Sequence, residues 1–182
     1  LEQGYGQTVG NSLRRVLLTS LPGSAITSVK IDGVSHAFSR VPGLKEDVVE
    51  LILNLKKVRL MLPSDEPVSF KLSAKGPGAV TAEQFEVPAG VSVVNTDMVL
   101  GTLADKKASL SLEVTAQKGY GYISSDEKKV SEIGRISVSA LFSPVTRVNY
   151  RVEATRVGRM TNLDKLVMEI WTDGSVAPLS AL

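Results

Sequence analysis

The stretch Gly4-Tyr5-Gly6-Gln7-Thr8-Val9-Gly10-Asn11-Ser12-Leu13-Arg14-Arg15-Val16-Leu17-Leu18-Thr19-Ser20-Leu21 decides the fold, because its glycines admit two incompatible readings. Glycines opening a helix resemble a phosphate-cradling loop, where free N–H groups and the helix dipole gather. One reading is therefore a nucleotide-binding enzyme using the Gly4–Gly10 loop. The spacing opposes it. A G-x-G-x-x-G fingerprint opening at Gly4 needs its third glycine where Val9 stands, and Gly-Lys-Ser/Thr occurs nowhere in the chain. The other reading is an ordinary helix. Val9, Leu13, Val16, Leu17 and Leu21 recur at helical spacing from Thr8 to Leu21, and Pro22-Gly23 is a stop signal. Its glycines then serve a tight helix entry and the close approach of a neighbouring element.

At about 100° per residue, Asn11, Arg15 and Leu18 share a face apart from that apolar stripe. A solvated arginine beside an incidental exposed leucine explains one such set. A second helix over Leu44–Val58 repeats the pattern, however. Val48, Leu51, Ile52 and Leu55 form its main stripe, acidic Glu46, Asp47 and Glu50 lie early, and Lys56 and Lys57 lie late, as the helix dipole favours. Beside that stripe, Val49, Leu53 and Lys56 again join apolar residues to a cation. Two helices with such sets call for a partner.

The rest reads as β. Asp32-Gly33 between Ala25–Ile31 and Val34–Phe38 predicts a hairpin. Val58–Leu62, the alternating Val68–Leu72, and Leu110, Leu112, Val114 and Ala116 predict strands, with turn-rich Lys75–Thr81 and Glu86–Gly90 between them. Gln117–Tyr122 followed by Ser124–Lys129 reads as a glycine-hinged, charged surface loop. In the last third, Val148, Tyr150, Val152 and Ala154 alternate with Arg147, Asn149, Arg151 and Glu153, and Leu166, Met168 and Ile170 with Lys165, Val167 and Glu169. They predict an antiparallel pair with one buried face, separated by Gly158–Asn162, in which Trp171 packs structurally. Hairpins with two separated helices make an α+β protein.

Composition narrows the function. The chain has 182 residues, 43% hydrophobic and 22% charged, long enough to bury a sizeable core. Its net charge of +2, from 21 Lys+Arg and 19 Asp+Glu, lacks the footprint of a dedicated nucleic-acid binder. The absence of cysteine removes disulfides, thiolate sites and thiol nucleophiles, and fits a cytoplasmic protein. His36 is the single histidine, so multi-histidine metal sites are excluded and it is the only imidazole base available. Ser35-His36 reads as ordinary surface. The adjacent Asp126-Glu127 lacks the geometry of an acid/base pair, and no Asp-x-Asp-x-Asp run offers a magnesium site. No apolar run reaches the roughly 18 residues of a membrane span. Leu1 at the start and Ala181-Leu182 just after a turn read as the ends of an internal fragment.

Five ordered blocks carry a resemblance. They are Leu1–Leu18; Val41-Pro42-Gly43-Leu44-Lys45-Glu46-Asp47-Val48 with Leu53-Asn54-Leu55-Lys56; Lys118-Gly119-Tyr120-Gly121-Tyr122; Phe142-Ser143-Pro144-Val145; and Thr161–Leu166 with Trp171-Thr172-Asp173-Gly174. The chain closely resembles the amino-terminal domain of the alpha subunit of bacterial-type DNA-directed RNA polymerase. The resemblance implies a discontinuous dimerisation subdomain, 1–22 with 145–182, of helices packed on an antiparallel sheet, and a mainly β inserted subdomain, 23–144. It implies a homodimer, formed chiefly through the helix matching Thr8–Leu21 and a C-terminal helix, on which the beta and beta-prime subunits assemble. It implies no catalytic residue and no cofactor here, the catalytic magnesium belonging to another subunit, and DNA contact only through the assembled complex. Leu13, Leu17 and Leu21 are then assigned to the dimer interface; Asn11, Arg15, Leu18 and Lys56 to beta contact; and Val138 to beta-prime contact. Ser139 stands where many relatives carry an acidic residue. A bacterial cytoplasmic or plastid setting fits equally, with no membrane contact.

Overall fold

The computed structural model describes residues 1–126 and 132–182. They divide into two compact units, Leu1–Pro22 with Ser143–Leu182, and Gly23–Phe142. In chain order the elements are α1 (Tyr5–Thr19), β1 (Pro22–Ile31), α2 (Val48–Leu55), β2 (Leu60–Met61), β3 (Val68–Lys75), β4 (Gly78–Thr81), β5 (Phe85–Glu86), β6 (Ser92–Val93), β7 (Val99–Leu103), β8 (Ser109–Tyr120), β9 (Tyr122–Ile123), β10 (Arg135–Ser137), β11 (Ala140–Leu141), β12 (Val145–Val157) and β13 (Met160–Thr172). This is an α+β fold with a β-rich second unit.

In the first unit α1 lies on a long hairpin. Strands β12 and β13 are antiparallel, pairing Val148 with Ile170, Tyr150 with Met168 and Val152 with Leu166, so the alternation in the sequence becomes one apolar face. The strands run further than expected, leaving a turn of only Gly158-Arg159; Gly158 takes the positive φ, 59°, that a two-residue hairpin turn needs. Leu17 is buried with Val145, Val148 and Ala181, and Leu18, Leu21, Met168 and Ile170 pack around them. Trp171 points away from this core: it is 41% exposed, with the Arg147 guanidinium 4.7 Å from its ring centroid. That cation–π contact replaces the internal packing expected of it.

Helix α1 starts at Tyr5, earlier than the apolar spacing predicts, because its contact face begins with glycine. Gly6 and Gly10 are buried within the helix. A Cβ on Gly10 would fall 2.5 Å from Tyr150 Cδ2 and 2.9 Å from Leu166 Cδ1; one on Gly6 would fall 2.6 Å from Val152 Cγ1. Backbone and sheet meet where side chains cannot fit. At the other end α1 closes at Thr19, where the N–H of Ser20 donates to the Val16 carbonyl.

The second unit is built on a seven-stranded sheet, β5-β3-β8-β1-β2-β6 with β10 also paired to β1. Strands β3 and β8 pair Phe70 with Val114, Leu72 with Leu112 and Ala74 with Leu110, all buried, as the alternation predicts. Helix α2 is shorter than the expected Leu44–Val58. It begins after Asp47, whose Oδ1 accepts the Glu50 N–H at 2.7 Å, and sets Val48, Leu51 and Leu55 into the core.

Two sequence expectations fail here. The hairpin at Asp32-Gly33 does not form: the Asp32 N–H donates to the Ser111 carbonyl at 3.0 Å, so the end of β1 stays on β8, and Val34–Phe38 is irregular. Nor is 117–120 a loop, since β8 continues through Tyr120; a Cβ on Gly119 would fall 2.9 Å from the Phe142 ring. The turn-rich Lys75–Thr81 contains a further strand, β4, paired with β7. Glu127, Lys128 and Lys129 of the expected charged loop lie outside the described residues.

Candidate docking surfaces

Burying Val48, Leu51 and Leu55 turns the second side-chain set of α2 outward, leaving Val49 38% and Leu53 50% exposed. These two, with Ile52 and Lys56, form one wall of a groove of about 280 Å³; Ile136–Ser139, the segment at Ala37-Phe38, and Ser125 line the rest. Phe38 is 89% exposed at its rim. The Lys56 ammonium donates to Ser139 Oγ at 2.7 Å. Lys56 and Val138 are thus brought together, although the resemblance assigns them to different partners. The Val138 side chain is only 3% exposed, so its segment offers surface through Ser137 and Ser139 instead.

The wall Ile136–Ser139 is held through β10, which pairs Val29 with Ile136 and Ser28 with Ser137, while the Val138 N–H donates to Thr27. The same register puts two cations, Lys30 and Arg135, directly opposite each other. Glu132 bridges them, 2.7 Å from Lys30 Nζ and 2.8 Å from Arg135 Nε. Arg135, 11% exposed at its side chain, also donates to Glu113 at 2.5 Å and to Thr115 at 2.9 Å. Hydrogen bonds from Lys30 and then Arg135, reinforced by their charges, hold Glu132 down to about 2 from the ordinary 4.5. A depressed folded-state value means the stabilisation is complete above the unfolded value and is lost as pH falls through about 2. Wild type is therefore expected to lose stability between about pH 4.5 and pH 2 by a step that Glu132→Gln lacks. Urea midpoints across that range would show it, and parallel curves for the two proteins would contradict it.

In the first unit Asn11 and Arg15 are exposed on α1, and the Arg15 guanidinium has no hydrogen-bond or ion-pair partner among the described residues. Leu18 is half-buried and rests on the Leu17 core, so it is less free than helical spacing predicts. Leu17, assigned to the dimer interface, is 2% exposed and packs against Val145, Val148 and Ala181 of its own chain. Leu21 borders the same core, Leu13 is half-buried, and Val16, placed by spacing in the buried stripe, is 50% exposed.

The Gly4–Gly10 segment is no phosphate cradle. Residues 5–10 are helix, and Asp164 Oδ2 accepts the N–H groups of Gly4 at 2.9 Å and Gly6 at 3.0 Å. The chain's own carboxylate fills the seat an anion would need. Sequence spacing carries no signal for this contact across 160 positions. Among the described residues the His36 ring meets Ser39 Oγ, 3.2 Å away in an exposed turn. Among the described residues no three His, Asp or Glu side chains gather to hold a metal, and no helix is long and apolar enough to cross a membrane.

A helix-on-hairpin unit interrupted in sequence by a β-rich insert defines an insert-bearing α+β module. The family model described as the RNA polymerase Rpb3/RpoA insert domain matches residues 29–143, and the chain belongs to the family of bacterial RNA polymerase alpha subunits. The DNA-directed RNA polymerase subunit alpha of Symbiobacterium thermophilum is 53% identical over 180 residues, covering 98% of this chain and 57% of the relative. That of Moorella thermoacetica is 51% identical over 184 residues, covering 100% and 58%. That of Roseiflexus sp. (strain RS-1) is 47% identical over 182 residues, covering 100% and 56%. The chain thus spans a little over half the length of these curated relatives.

Proposed function

We propose that this protein is a non-catalytic assembly scaffold of cytoplasmic DNA-directed RNA polymerase, which dimerises and docks the beta and beta-prime subunits to begin core-enzyme assembly for transcription. The observation that carries the reading is the outward Val49–Leu53–Lys56 face of α2, set beside Ile136–Ser139 as an open apolar groove with a cation. Interfaces pair an apolar centre with a few charged anchors, arginine prominent among them. Arg15 beside Asn11 and Leu18 supplies such an anchor on α1. Beta takes the Arg15 face and Lys56, and beta-prime takes the segment around Val138. The magnesium-binding acids reside in another subunit, and DNA is reached only through the complex.

Truncating an interface arginine at a hot spot costs about 2 kcal/mol or more, roughly thirtyfold in affinity. Arg15→Ala in the full-length protein is expected to weaken beta binding by that factor and to leave the thermal midpoint unchanged, since the side chain is exposed. Isothermal titration with purified beta checks it; wild-type affinity would mean that Arg15 is a solvated charge.

A further inference from the structure

The groove on the second unit also specifies the chemistry of what it receives; this inference rests on the docking role proposed above. Lys56 is half-buried at the end of α2, and its ammonium meets one neutral acceptor, Ser139 Oγ at 2.7 Å. An ammonium carries three donors. No carboxylate is in ion-pair distance of it among the described residues, and none of those lining the groove is acidic. The rest of the wall is mainly apolar, with Val49, Leu53 and Phe38 exposed. While the groove is open, water satisfies the two remaining donors. Covering it with an apolar segment would remove that water and strand a charge, which is far costlier than burying a paired one.

We infer that the segment of beta seated against the α2 wall of this groove carries a carboxylate that meets Lys56 Nζ, flanked by apolar side chains that cover Leu53 and Phe38. Ser139 is then a specificity-determining residue: being neutral, it leaves the charge of Lys56 to the partner. Aspartate at the same position would hold the lysine within the chain and cancel the attraction.

The test uses the full-length protein and purified beta, with affinity measured over a range of salt concentrations. Wild-type affinity is expected to fall as salt rises, as for a charged pair at a partly exposed interface. Ser139→Asp and Lys56→Met are each expected to weaken binding about tenfold at low salt and to flatten the salt dependence. Thermal midpoints of Ser139→Asp and Lys56→Met within the small range of surface substitutions guard against a folding defect. If Ser139→Asp and Lys56→Met bind as wild type while Phe38→Ala/Leu53→Ala binds poorly, the groove docks beta but the acidic partner is wrong. If all three bind as wild type, the groove is not part of the beta interface, and this inference fails with it.

Discussion

Gly10→Ala is expected to destabilise the first unit, against the rule for exposed helices. In a solvated helix, replacing glycine by alanine gains roughly 0.5–1 kcal/mol of propensity. Here the added carbon would sit 2.5 Å from Tyr150 Cδ2 and 2.7 Å from Cε2, with Leu166 Cδ1 at 2.9 Å. No real Cβ contact is that short, so the Tyr150 ring or the helix must move. Overpacking of this kind costs about 1–3 kcal/mol. Tyr150 has little freedom to give way, being paired across the hairpin with Met168 and donating through its hydroxyl to Gln7 at 3.2 Å. A net loss of stability in urea unfolding is the expected result; a gain would mean that α1 does not seat on the hairpin through its glycines.

The double variant Phe38→Ala/Leu53→Ala is expected to have the largest effect on docking and almost none on folding. Phe38 is 89% and Leu53 50% exposed, so the free protein owes them little. Fully covering an apolar side chain of this size is worth about 1.5–3 kcal/mol. With Leu53 already half-covered, the pair accounts for about 3 kcal/mol, on the order of a hundredfold in affinity for beta. Thermal unfolding should stay within the small range of surface substitutions. Unaltered beta binding would remove the groove from the interface.

The contrast between α1 and α2 shows what the sequence could reveal. On α2 the helical period separates Val48, Leu51 and Leu55 from Val49, Leu53 and Lys56, and the structure buries the first set and exposes the second. Both faces carry side chains, so periodicity finds them. On α1 the seat is Gly6 and Gly10, which hydrophobic spacing does not count; the helix begins earlier than expected, and Val16, assigned to the core, is half exposed. Long-range contacts were illegible for a different reason. Lys56 meets Ser139 across 83 positions and Asp164 caps α1 across 158, and neither spacing nor composition encodes those pairings. The apolar neighbours of Phe38 predict a strand there, but the Asp32 N–H bonds to β8 and no hairpin turn forms, so Phe38 lies at the groove rim instead. The β12–β13 hairpin is the most legible element because Val148, Tyr150 and Val152 and, opposite them, Ile170, Met168 and Leu166 recur at every second position and share one face.

The central claim is that this protein is an assembly scaffold rather than a catalyst. Its most direct test is the light-scattering mass of the full-length protein, wild type and Arg15→Ala, alone and mixed with purified beta. A dimer is expected for both proteins alone, with a mass increase on adding beta to wild type and a loss of that increase in Arg15→Ala at concentrations near the wild-type dissociation constant. A monomeric wild type, or a dimer whose mass is unchanged by beta, would contradict it.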